Sequence, residues 1–371
     1  MKLTTPTYSK FNPDLIEYVP TALKIAYFGK KYYGLQMQGT VPTIDAVQPI
    51  LNPPTIESTL VKVLMDLCFI HPLKWKENFS KCGRTDKGVS SFGNVIVMNM
   101  RNIENPLVAI NTRLPNDIKV IAFQKVSSDF SARFNCTSRT YRYYFVKSDG
   151  MCINKMKRAS KHLLGTHDFR NFCKLDPKIT MYTRRIDEII FSKFTQYNND
   201  EVWVVEIKGS AFLWHQIRFT MALLFLVGKG FEEEDISWLL DIEVSKPNFD
   251  MASEVGLVLY DTEHDIDWIW DKSITLQPTA LKETIVEDCL ITKPVEKGRP
   301  NLHDVAQYAK QQLLIELALV EAFIQKYDLS LNRSHWGTTG GLAGQSGQLS
   351  AINSGIGKQL PSVVYRSLRK R

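Results

Sequence analysis

No apolar run in this 371-residue sequence approaches the length of a membrane span: the longest, Phe219 to Val227, is about half of what a bilayer crossing needs. The opening MKLTTPTYSK has no apolar signal core, so neither export nor membrane anchoring is expected. Cysteine is scarce and scattered. Cys68, Cys82, Cys136, Cys152, Cys173 and Cys289 stand far apart with no CxxC pair. That argues against a zinc site and a dense disulfide framework, and for reduced thiols in the cytosol or nucleus. No GxxxxGK[ST] loop follows a strand, so the glycines between Gly337 and Gly357 do not form a phosphate cradle.

What is present fits a folded protein with a polyanionic partner. Apolar residues make up 44% and aromatics 11% of the chain, enough for sizeable cores, and the length suits two domains. Forty-six Lys and Arg against 39 Asp and Glu leave a formal charge of +7. Clustered cations gain affinity for nucleic acid by releasing counterions from phosphates, although many basic proteins never meet one.

Strand-like runs rich in β-branched or aromatic residues occur at Ala22 to Phe28, Asn94 to Met100, Lys119 to Val126, Arg139 to Val146, Asp187 to Phe194 and Glu201 to Lys208. Helical patterns run from Thr55 to Asp66, Asn154 to Leu164, Phe212 to Val227, Glu232 to Leu240 and Leu302 to Tyr327. Pro42, Pro49, Pro53 and Pro54 make residues 39–54 a loop. Consecutive strands lie too close for intervening helices, so an α+β fold with mainly antiparallel sheets is expected. Ser148-Asp149-Gly150 marks a domain change. The predicted organisation is a flexible lead (1–20), a first half (21–146), a second half (147–271) and an extension (272–371). The extension carries one helix and a flexible Gly/Ser-rich basic tail.

The densest chemical constellation is Lys81-Cys82-Gly83-Arg84-Thr85-Asp86-Lys87-Gly88-Val89, with two glycines bracketing alternating charges. Read alone, it is compatible with an ordinary polar turn whose aspartate bonds its own backbone. Asp86 has no carboxylate companions in the motif, which disfavours a metal-dependent nuclease and predicts chelator-resistant activity.

The string GRTDKGV resembles the active-site motif of the TruA-type transfer-RNA pseudouridine synthases, and it is not alone. FGKKYYGLQMQ from Phe28, Thr55-Ile56-Glu57, Leu114 to Ile118 and FSARFNCTSRTYRYY from Phe130 resemble further motifs of that family. So do Gly165 to Phe169, Gly209 to Arg218 and Leu257 to Asp261, in the family's order over residues 21–270. GTHDFRNFCKLD and GSAFLWHQIR look most like the eukaryotic branch acting on uridines 38 and 39 of the anticodon stem-loop. The resemblance implies two RNA-recognition-like halves whose sheets form one extended surface, with the active site in the central cleft. It also implies transfer RNA as partner and no cofactor or metal, and it leaves a homodimer open.

By the same resemblance Asp86 is the essential carboxylate, adding to C1′ or taking a proton from C2′. Tyr141 packs on the target base and assists proton removal from C5. Arg218 pairs with Asp86, so Asp86 and Tyr141 come from the first half and Arg218 from the second. Arg84 holds the RNA backbone or the space of an extruded base, its alternative being loop bracing. Arg133, Arg139, Arg142 and Lys87 are expected to form a basic surface interleaved with aromatics. His167 and His215 are expected to be packed, hydrogen-bonded histidines. Two alternatives stay open: the same chemistry at positions 27 and 28 or on other RNAs, and an RNA-binding chaperone without turnover.

Overall fold

A computed structural model describes residues 12–38, 53–271 and 302–326. The N-terminal lead before residue 12, most of the Pro-rich insertion and the Gly/Ser-rich basic tail lie outside the described residues. The chain runs β1 (Tyr18–Tyr27), α1 (Ile56–Asp66), β2 (Ser80–Lys81), β3 (Ser90–Arg101), α2 (Leu107–Arg113), β4 (Ile118–Lys125) and β5 (Cys136–Val146). It continues through α3 (Ile153–Ser160), β6 (Gly165–Asp168), β7 (Thr183–Tyr197), β8 (Asp200–Gly209), α4 (Gln216–Gly228), α5 (Glu234–Leu239), β9 (Leu257–His264), β10 (Ile269–Trp270) and α6 (Leu302–Lys326).

Local chemistry explains several boundaries. Thr55 and Ser58 cap α1 reciprocally: Thr55 Oγ1 accepts from the Ser58 amide, and Ser58 Oγ accepts from the Thr55 amide, both at 3.1 Å. Glu57 is therefore free of capping duty and pairs with Lys81 at 2.5 Å beside the GRTDKGV loop. At the β7–β8 hairpin, Asn198 adopts φ 53°, a conformation asparagine tolerates better than most residues.

The strands form one sheet in the order β10-β4-β1-β3-β9-β5-β8-β7-β6, with β2 added beside β3. Every pairing is antiparallel except β3 with β9, which run parallel over two residue pairs, Ser90↔Val258 and Ser91↔Leu259. Two antiparallel halves thus meet at a short parallel seam, giving the single extended sheet expected. The division in space differs from the expected one. β5 lies between β9 and β8, so Tyr141 belongs with the second half although its residues precede the Ser148-Asp149-Gly150 turn.

Strand alternation sends side chains to opposite faces. On one face α1 and α2 cover Leu23, Ile25, Tyr27, Ile96 and Phe123, while the second half buries Tyr143, Phe145, Met156, Phe169, Ile207 and Met221 against α3, α4 and α5. The other face is covered by α6, which seats Ile315, Leu319 and Phe323 on Phe92, Tyr144, Val202 and Val258. This helix from the extension is therefore integral to the core. None of the helices among the described residues is long and apolar enough to cross a membrane.

Candidate active site

The seam positions the site, because the GRTDKGV loop ends at Ser90, where β3 begins to pair with β9. The loop is held on every side. The Asn94 side chain grips Gly83, accepting from its amide at 3.2 Å and donating to its carbonyl at 2.8 Å. The Tyr27 hydroxyl lies 2.8 Å from Thr85 Oγ1, and the Leu35 amide donates to the Thr85 carbonyl at 3.1 Å. The Gly88 amide donates to the Tyr32 carbonyl at 3.1 Å.

The FGKKYYG segment is the loop's second wall, and its glycines are steric necessities. A Cβ at Gly29 would lie 2.1 Å from the Val89 carbonyl oxygen, and one at Gly34, where φ is +92°, would lie 2.7 Å from that of Thr85. Asp117, from the LPNDI element, fixes this wall in turn. Its carboxylate accepts from the Tyr32 hydroxyl at 2.7 Å and its carbonyl from the Phe28 amide at 2.9 Å.

Asp86 sits in this rigid loop with its side chain 28% exposed, and its Oδ2 lies 3.2 Å from His215 Nε2. His215 stands just before α4 at φ 63°, with its Nδ1 buried and unbonded. Tyr141 is buried on β5, edge-on to Phe212 at 5.2 Å, and its hydroxyl would lie 3.8 Å from a Cβ on Gly83. Burial pushes its phenol well above the usual range, so the hydroxyl holds its proton at neutral pH.

The expected Arg218–Asp86 pair is not formed. Arg218 is buried, donates from Nε to the Ala252 carbonyl at 2.7 Å and pairs through Nη2 with Glu254 at 2.9 Å. His215, three residues earlier, occupies the place beside Asp86. Glu254 in turn abuts the loop, since a Cβ on Gly88 would meet its Cγ at 2.9 Å. Arg218 thus supports the loop through Glu254.

The expected basic surface divides into three parts. Arg84, Lys87 and Arg133 are exposed, and none has a carboxylate partner among the described residues. The Lys87 ammonium lies 4.2 Å over Tyr33, and the Arg133 guanidinium 5.4 Å over the exposed Phe134. Arg139 belongs elsewhere: it is 8% exposed, and its guanidinium is committed to the carbonyls of Cys82, Arg133 and Ser210. A buried cation bonded to three carbonyls is a brace between the GRTDKGV loop, the 131–135 turn and the start of the GSAFLWH motif. Arg142, one residue beyond Tyr141, points to the opposite face, paired with Glu206 at 2.6 Å and stacked 3.6 Å from Tyr260.

Other groups extend the cationic rim. Trp214 is 44% exposed with the Lys174 ammonium 4.3 Å above its ring, and the half-buried Arg184 donates through Nη1 to the Met181 and Thr183 carbonyls at 3.2 and 2.7 Å. His215 was hidden because an isolated histidine in an apolar segment reads as core; its place one helical turn before Arg218 was the signal. His167 contacts the Leu164 carbonyl at 2.7 Å, a local structural bond away from Asp86.

Residues 159–265 match the family model described as tRNA pseudouridine synthase. The chain is 37% identical over 288 residues to a Bos taurus protein named tRNA pseudouridine(38/39) synthase, covering 68% of this chain and 57% of that one. A Saccharomyces cerevisiae protein of the same name is 37% identical over 70% of this chain and 60% of its own length. The chain thus spans somewhat more than half the length of these relatives. Tag-124 of Caenorhabditis elegans, named a probable tRNA pseudouridine synthase, is 32% identical over 71% of this chain and 72% of its own. The tRNA pseudouridine synthase A of Methanococcoides burtonii is 34% identical over 67% of this chain and 85% of its own length. With relatives 32% and 34% identical matched over 72% and 85% of their own length, the chain belongs to the tRNA pseudouridine synthase family.

Proposed function

We propose that this chain isomerises uridine to pseudouridine in the anticodon stem-loop of transfer RNA, at position 38 or 39, in the cytosol or nucleus. The observation that carries this reading is Asp86, held partly exposed in a clamped loop between a buried tyrosine and a rim of cations without carboxylate partners. The relatives named for positions 38 and 39 support the choice of site.

The reaction breaks C1′–N1, turns the uracil and joins C1′ to C5; the proton leaving C5 is balanced by one gained at N1. A carboxylate at C1′ adds to the sugar or stabilises its developing positive charge, and one at C2′ removes a proton there. Asp86 fits either role, because the surrounding hydrogen bonds fix its backbone while its side chain, with Oδ2 against His215, stays partly exposed. The target nucleotide must leave the stacked stem to reach it, and Arg84 is placed to occupy the gap or hold the flanking phosphate. Tyr141 packs against the uracil with a hydroxyl that remains protonated. Arg84, Lys87, Arg133 and Arg184 supply the charge that binds the stem-loop.

The test is pseudouridine mapping, by carbodiimide modification and primer extension, in unmodified transfer RNA incubated with wild type or Asp86→Ala. A stop at 38 or 39 from wild type alone supports the reading in full. Signal at 27 or 28 keeps the chemistry and overturns the site, and no signal on any transfer RNA leaves an RNA-binding protein without turnover.

A further inference from the structure

A second chemical cluster lies at the root of the GRTDKGV loop. Cys82 precedes Gly83 directly, Cys136 opens β5 and His264 closes β9. Cys136 and His264 are register partners across β5 and β9, and the Cys82 amide bonds the Val95 carbonyl of β3 at 2.9 Å. One ligand atom from each of the three residues lies within 4.8 Å of the other two. The absence of CxxC in the sequence excluded only local spacing, whereas the sheet assembles these groups from distant strands.

The histidine carries the argument. Its Nε2 lies 2.9 Å from the Ala132 carbonyl. A carbonyl can only accept, so Nε2 is the protonated nitrogen and Nδ1 keeps its lone pair. That Nδ1 is buried and makes no well-formed hydrogen bond, although the Thr262 backbone lies close to the ring. A buried polar atom left unsatisfied costs roughly 1–3 kcal/mol and calls for a partner such as an ion. Histidine ligands characteristically bond a backbone carbonyl through the nitrogen that faces away from the metal.

We propose that Cys82, Cys136 and His264 Nδ1 bind one zinc ion that staples the root of the catalytic loop to β5 and β9. Tetrahedral zinc, with bonds of about 2.3 Å to sulfur and about 2.0 Å to nitrogen, sets its ligand atoms roughly 3.5–3.8 Å apart. Small side-chain adjustments within the 4.8 Å limit reach that spacing. Thiolate and imidazole donors select zinc over magnesium or calcium. The surroundings agree: Ala22, Val95, Val97 and Ala132 form an apolar shell. Arg139 donates to the Cys82 carbonyl at 3.3 Å and so ties the root of the loop to β5. No fourth His, Cys or carboxylate joins the cluster among the described residues, which leaves the fourth position open to a water or another ligand. None of the three ligands is a residue assigned to the proposed reaction, so this inference stands apart from it.

The test reads metal rather than turnover. Full-length protein is stripped under reducing conditions, titrated with cobalt(II) and then with zinc(II), and its zinc content is measured by mass spectrometry. The expected result is one cobalt per chain, with a thiolate charge-transfer band in the near ultraviolet and ligand-field bands in the visible. Zinc should displace the signal, and Cys136→Ser and His264→Asn should lose it while Cys68→Ser and Cys152→Ser keep it. Wild type without these bands and with no zinc above Cys136→Ser would overturn the site, whatever the stability of the variants. So would non-reducing peptide mapping that finds Cys82 and Cys136 joined in a disulfide that persists in the metal-free, reduced preparation.

Discussion

Gly34→Ala tests whether the FGKKYYG wall sets the position of Asp86. At φ +92° an L side chain is strained by roughly 1–2 kcal/mol. The added methyl would also sit 2.7 Å from the Thr85 carbonyl oxygen, about 0.7 Å inside the 3.4 Å at which ordinary contact begins, and 3.3 Å from the Asp86 carbonyl carbon. Both are backbone atoms, so the loop itself must retreat and weaken the Leu35–Thr85 hydrogen bond, adding about 1 kcal/mol. The total of about 2–3 kcal/mol corresponds to a Tm lower by roughly 5–10 °C. A displacement approaching 1 Å at the reacting group is expected to reduce single-turnover rates about 100-fold. The assay is tritium release from transfer RNA labelled at uracil C5, beside RNA affinity, which should not change. Gly150→Ala is the control, since φ there is +73° and nothing lies within 4 Å of the added carbon. It should show strain alone and full activity. A Gly34→Ala protein with wild-type rate and Tm would refute the claim that this wall positions the loop.

Three further outcomes follow from the geometry. Arg139→Met leaves three carbonyls without their buried donor and should cost about 3 kcal/mol by urea unfolding; an unchanged midpoint would show that Arg139 is not a brace. Arg133→Ala should weaken all transfer RNAs alike and lower the slope of log affinity against log salt by about 1, read by filter binding; an unchanged slope would remove Arg133 from the phosphate surface. Burial lowers the Lys326 pKa to about 8, so between pH 8 and 10.5 the unfolded chain binds a proton that the folded chain has shed. Stability should therefore rise with pH through that window, by up to about 3 kcal/mol, and Lys326→Met should abolish the rise in denaturant titrations at stepped pH.

The sequence announced those parts of the site that are local in the chain. The GRTDKGV loop, the α1 cap region and the strands around Tyr141 carry their signals in runs of residues, and the structure has them at those places. What escaped were relations between distant segments. The partition of β5 depends on β9, a strand of eight residues from far along the chain that lies between β3 and β5. Arg218 was assigned to Asp86 by motif, but the charge balance is settled by Glu254, which lies in a stretch with no regular pattern. Arg139 and Arg142 read alike in sequence, yet one is a buried brace and the other lies on the far face.

The docking of α6 redraws the smallest piece of this chain that can fold by itself. Family motifs end at Asp261, and a boundary drawn after β10 would look complete by sequence similarity. Such a fragment would present Phe92, Tyr144, Val202 and Val258, all fully buried in the intact chain, as a bare apolar patch on the back of the sheet. It would also strip the Lys326 partner from Asp261. Patches of that kind drive self-association. A truncation retaining Asp86, Tyr141 and His215 would therefore fail through insolubility, and its inactivity would say nothing about the role of Asp86.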